Sequence, residues 1–98
     1  MTKFQLDTYI IDVLMRDIVG HDRMPSAFVV YIWLWTQTKA RGRSALGVSL
    51  AAIAAETGLS KSSVQNAARA LTSRGLVRIQ RKGITEAPVY EVLEPWKR

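Results

Sequence analysis

Ser62, Gln65, Asn66, Arg69 and Ser73 recur at steps of three and four residues, a spacing that lays side chains along one side of a helix. They are polar and include no acid, and the amides of Gln65 and Asn66 and the guanidinium of Arg69 offer paired hydrogen-bonding groups. A helix face that only meets water more often carries Glu and Lys four residues apart, a pairing that strengthens isolated helices. A face of paired donors and acceptors has the chemistry needed to read the edges of nucleic-acid bases.

Positioning such a face requires a helix fixed by its other side. Val64, Ala67, Ala68 and Leu71 form that apolar side, Ser60 can cap the N-terminus, and Gly75 stops the helix. Just upstream, Leu50, Ile53 and Ala54 recur at helical spacing behind a second candidate cap, Ser49, and Gly58 stands where a chain leaving a helix needs positive φ. Residues 49–77 therefore read as a helix ending near Thr57, a tight turn and a second helix.

After Gly75, Val77 and Ile79 alternate with Arg78 and Gln80, Arg81-Lys82-Gly83 follows, and a short link leads to Val89-Tyr90-Glu91-Val92-Leu93. Alternation on both sides of a basic link predicts a β-hairpin with a basic tip.

The small Ala54, the turn glycine Gly58, the β-branched Val64 and the opening Ser60-Lys61-Ser62-Ser63-Val64 resemble helix-turn-helix proteins, the opening being common in bacterial regulators. With the hairpin behind them, residues 44–95 resemble a winged helix-turn-helix DNA-binding domain. The resemblance implies a second motif helix in the major groove of duplex DNA and a wing along the backbone or minor groove. It assigns Ser60 and Lys61, at the positive end of the helix dipole, to phosphate, with Ser62 and Ser63 in the same turn. Gln65, Asn66 and Arg69 would reach base edges, and Arg78, Arg81 and Lys82 would hold the backbone from the wing.

Charge placement agrees with that assignment. The chain of 98 residues carries a net +6. Residues 1–38 hold Lys3, Arg16 and Arg23 against Asp7, Asp12, Asp17 and Asp22, a balance of −1, and residues 39–98 hold the other eleven basic residues against four acids, a balance of +7. The positive field sits with the proposed reading head. A basic bias can also serve solubility alone, but here it coincides with the motif.

Two elements precede the motif. Leu6, Tyr9, Ile10, Val13 and Leu14 mark one helical stripe, with Gly20 as terminator, so residues 6–19 read as an amphipathic helix. After a polar link, Pro25 or Ser26 opens a second helix expected to run to about Arg41. Its centre, residues 27–35, is apolar for nine residues without a polar face. That length is far short of the ~20 residues that cross a bilayer. A helix apolar all round needs cover on several sides, which predicts a homodimer with Phe28, Tyr31, Trp33 and Trp35 in an aromatic seam. The same aromatics at helical spacing also fit the core of a single chain. Val48 and Ser49 are candidates for a short strand beside the hairpin, and Trp96 is expected to pack back onto the body.

Several function classes drop out. The absence of cysteine removes disulfides and thiolate metal sites, and His21 has no second histidine to share a metal. Lys61-Ser62 resembles the end of a phosphate-binding loop, but Ser60 and Ala55 stand where that loop needs glycine. No signature places a nucleophile beside a base, so no enzymatic role and no cofactor are expected. The opening MTKFQLD lacks a signal peptide's apolar core, and a cytoplasmic, nucleoid-associated location is expected.

The expected fold is one domain, mainly α with a small β-hairpin: a winged helix-turn-helix at 44–95 behind an N-terminal helical extension, 1–43, that carries dimerisation. The expected function is sequence-specific binding of double-stranded DNA by a small dimeric bacterial-type transcriptional regulator. Helix-turn-helix domains of plasmid and phage replication initiators offer a second resemblance. A winged helix docking on a protein is the third reading, against which the +7 balance argues.

Overall fold

The structure is a computed structural model and describes residues 3–97. It is mostly helical, with a three-stranded antiparallel sheet at one side. In chain order there is an N-terminal helix in two π-wound runs, Ile10–Leu14 and Arg16–His21, then α1 (Pro25–Gln37), a 3-10 turn (Lys39–Arg41), β1 (Ala45–Gly47), α2 (Leu50–Thr57), α3 (Lys61–Ser73), β2 (Val77–Gln80) and β3 (Val89–Val92). The strand order is β1-β3-β2.

The helix-turn-helix is built from local signals. Ser49 Oγ accepts the Ala52 amide at 3.1 Å and Ser60 Oγ accepts the Ser63 amide at 3.1 Å, so each motif helix starts on a serine cap. Gly58 leaves α2 at φ 82°. At the end of α3 the Gly75 amide donates to the Thr72 carbonyl at 3.0 Å and the Leu76 amide to the Leu71 carbonyl at 2.9 Å, with Gly75 at φ 72°. This is a Schellman closure, with Leu76 and Leu71 as its apolar pair.

β3 is the central strand. Its Tyr90 lies opposite Leu46 on one side and Ile79 on the other, and Val92 lies opposite Val77. Strand alternation turns Tyr90, Val92, Val77 and Ile79 toward the helices and Glu91 and Arg78 away from them. The third strand falls at Ala45–Gly47, just before the expected Val48-Ser49, although the Val48 amide extends the ladder to the Pro88 carbonyl at 3.1 Å.

The core runs through the whole chain and centres on α1. Ala27, Val30, Tyr31, Leu34 and Trp35 are buried at three- and four-residue steps, against α2, α3, β3 and the N-terminal helix. The sequence argument that the apolar run needs a second chain therefore does not hold for two of the four seam residues. Tyr31 is fully buried and donates to the Leu93 carbonyl at 2.9 Å. Trp35 is buried and meets the Phe4 ring at 5.9 Å. Phe28 and Trp33 are partly buried against the same core. The α-helix ends at Gln37 rather than near Arg41: the chain tightens into the 3-10 turn Lys39–Arg41, with the Arg41 and Arg43 amides both donating back to the Thr38 carbonyl at 3.0 and 2.8 Å.

The N-terminal helix also departs from expectation. Ile10, Leu14 and Ile18 are its buried positions, four apart, and its backbone amides reach back five residues, as from Met15 to the Ile10 carbonyl and from Asp22 to the Asp17 carbonyl. Gly20 does not end it. The chain reverses at Arg23, whose φ of 55° is rare for a non-glycine residue, and the Met24 amide donates back to the Ile18 carbonyl at 3.0 Å. The adjacent Asp22 anchors this reversal by a two-point pair with Arg74, at 2.7 and 3.0 Å. At the other end Trp96 stacks on Tyr9 at 4.6 Å and donates to Asp7 at 3.2 Å, so it packs onto the body as expected.

Arg74 holds the Asp22 carboxyl below the usual carboxylate range, and the Tyr9 amide, with Trp96, does the same for Asp7. A depressed folded pKa gives stability that is present above the unfolded value, about 4, and is lost as pH falls through the folded value. Thermal melts between pH 7 and pH 2 should show this acid loss. Asp22→Asn should be less stable than the parent at pH 7, with the gap closing toward pH 2.

Candidate nucleic-acid interface

α3 presents its two sides as the sequence patterning requires. Val64, Ala67, Ala68 and Leu71 are buried, and Lys61, Ser62, Gln65, Asn66 and Arg69 are exposed. Ser60 and Ser63 differ from their neighbours. The Ser60 hydroxyl accepts the Ser63 amide and donates to the Ser63 hydroxyl at 2.9 Å, so both side chains are engaged in capping. Ser62 Oγ also lies 3.2 Å from Ser60 Oγ, so Lys61 is the open polar side chain of the first turn.

An open groove of about 680 Å³ runs between α3 and the sheet. Ala68, Ile79, Tyr90 and Leu50 form apolar parts of its lining, and Gln65, Arg69, Thr72, Ser73 and Arg81 contribute its polar groups. Burial pushes the Tyr90 phenol up from its ordinary value. Arg81, directly after β2, lines this groove and also joins Lys82, Gly83 and Ile84 around the tip of the hairpin, so helix and wing form one continuous surface. Arg81 and Lys82 are exposed there, and Ile84 is fully so.

Arg78 is placed differently. It sits opposite Glu91 in the β2–β3 register and donates to its carboxylate at 2.9 Å, on the sheet face turned away from α3. The structure therefore brings Gln65, Arg69 and Arg81 together and leaves Arg78 outside their groove.

Ion pairing sorts the cations in the same way. Arg74 pairs with Asp22, Arg78 with Glu91, Lys97 with Glu94 and Asp7, and Lys39 with Glu94. Among the described residues Lys61, Arg69, Arg81 and Lys82 have no carboxylate partner within 4.0 Å. The cations on α3 and the wing tip are thus unneutralised, as are Lys3, Arg16, Arg23, Arg41 and Arg43 elsewhere among the described residues, and their clustering around one groove is the condition for an attractive surface potential.

Leu50, Thr72 and Tyr90 line the groove without having been expected there. Thr72 follows Arg69 by three residues and was legible from helical spacing. Tyr90 and Leu50 come from other elements, and only the β-register and the α2–α3 packing bring them in. Among the described residues no group of three or more His, Cys, Asp or Glu is arranged to hold a metal ion, and no helix is long and apolar enough to cross a membrane.

Residues 40–81 match the IclR helix-turn-helix domain, a segment that runs from the 3-10 turn through both motif helices to the end of β2. Searches of curated proteins and of solved structures found no significant match. The matched domain is a DNA-binding unit of regulators and not an enzyme family. Motif, wing and match agree: the chain is a winged helix-turn-helix of the DNA-binding regulator type, with a central segment similar to the IclR helix-turn-helix domain.

Proposed function

We propose that the protein is a sequence-specific duplex-DNA-binding transcriptional regulator of bacterial type, working in the cytoplasm on nucleoid DNA as a pair of copies on a partly palindromic site. The observation that supports this best is the single groove lined by Gln65, Arg69 and Arg81, bordered by cations that have no carboxylate partner. α3 enters the major groove, where Gln65 and Asn66 pair with adenine and Arg69 grips guanine. Lys61, Arg81 and Lys82 hold phosphates on either side, aided at Lys61 by the N-terminal end of the helix dipole. Arg78 stays in its pair with Glu91 and contributes little.

A mobility shift on mixed-sequence duplex, repeated across a salt series, tests this and separates DNA binding from protein docking. Binding should weaken steeply with salt. Lys82→Ala should weaken every duplex alike and reduce the salt slope by about one counterion. Arg78→Ala should leave the slope unchanged. The opposite pattern would place the contact on the outer face of the sheet.

A further inference from the structure

Six large apolar side chains are exposed among the described residues, and four of them, Ile11, Met15, Val19 and Val29, line one groove. The groove has a volume of about 550 Å³ and lies between the N-terminal helix and α1. Single exposed apolar residues are ordinary, but a cluster of this kind with a polar rim marks a contact surface. Ile11, Met15 and Val19 are four residues apart and make one row along the helix, and Val29 and Phe28 supply the opposite wall from α1. The mixed α3–wing groove described above is separate, since no residue lines both.

We propose that the occupant of this groove is a second copy of the chain, whose N-terminal helix packs antiparallel against the first. Charge on the rim selects that occupant. Asp12 and Arg16 both line the groove, four residues apart, and neither has an ion-pair partner among the described residues. A two-fold axis perpendicular to the helix and lying in the interface preserves the helix edge while reversing its direction. It therefore sets Asp12 of one copy against Arg16 of the other, twice, while Met15 meets Met15 near the axis and Ile11 meets Val19. An isologous contact must be self-complementary in this way. A two-fold axis parallel to the helix would instead carry this charged edge to the opposite side of the seam in the partner, so that Asp12 and Arg16 would find no counter-charge across the contact. The inference uses Phe28 from the aromatic residues singled out in the sequence and leaves Tyr31 and Trp35 in the core of each chain.

Sedimentation of the full chain without DNA tests the contact independently of any DNA reading. The parent should be a dimer at micromolar concentration. Met15→Glu, at an exposed position where two like charges would meet on the axis, should raise the dimer dissociation constant on the order of a hundredfold or more with an unchanged circular dichroism spectrum. Asp12→Arg should weaken the dimer, and adding Arg16→Asp should restore it. Because the chain has no native cysteine, Met15→Cys gives one thiol per copy, and a short bis-maleimide should link the two copies. A parent that stays monomeric at every concentration, or a dimer that persists in Met15→Glu and is not linked through Met15→Cys, would overturn the proposal. A dimer that meets these tests yet binds no duplex would leave this contact standing and refute the proposed function alone.

Discussion

Leu71→Ala is expected to destabilise the chain by about 2–5 kcal/mol, the range found when a fully buried leucine is truncated and its cavity only partly collapses. Leu71 is 1% exposed and lies on the inner side of α3. It is also the residue whose carbonyl closes that helix onto Leu76. The substitution keeps the carbonyl but removes the apolar partner of the closure, so the loss should fall in the upper part of the range. A small domain has a total stability of only about 5–15 kcal/mol, and the variant should be partly unfolded near physiological temperature. Urea denaturation should show a lower midpoint with an unchanged slope. DNA binding should fall only in proportion to the folded fraction.

Arg69→Ala should do the reverse. Arg69 is exposed, has no carboxylate partner among the described residues and lines the groove beside Gln65 and Arg81. Its removal should leave the urea midpoint nearly unchanged, because surface substitutions away from special features move stability by roughly half a kcal/mol or less. On the preferred duplex it should cost about 1–3 kcal/mol and relax the preference at one base pair, since a guanidinium reads guanine with two donors. Affinity for mixed-sequence duplex should fall less. Competition binding against single-base variants of the preferred site reads the difference. If Arg69→Ala only flattens the salt dependence and Lys82→Ala relaxes specificity, the roles of helix and wing are exchanged.

The parts of the fold that were legible in the sequence are those fixed by neighbours in the chain. Ser49, Gly58, Ser60 and Gly75 set the limits of the two motif helices, because capping hydrogen bonds and positive φ are satisfied within a few residues. The outward side of α3 followed from the apolar spacing of Val64, Ala67, Ala68 and Leu71. The hairpin followed from alternation.

Features that depend on distant contacts were not legible. An all-apolar run such as residues 27–35 has no moment to show which side is covered, and the packing of α1 on α2, α3, β3 and the N-terminal helix decides it. The Arg78–Glu91 pair depends on the hairpin register, which an irregular link does not reveal. The Asp22–Arg74 pair joins residues 52 positions apart, and the π winding before it carries no signal in the apolar stripe. At the site, the residues of α3 and Arg81 were read from spacing and charge, whereas Leu50 and Tyr90 enter the groove through tertiary packing.

The central claim is that α3 and the wing together read duplex DNA. Selection from a random-sequence duplex pool by the full chain, followed by sequencing of what is retained, tests it most directly. The account predicts an enriched motif of two related half-sites, each containing a guanine whose preference disappears in Arg69→Ala. A pool retained in its starting composition, or not retained even at low salt, would contradict it.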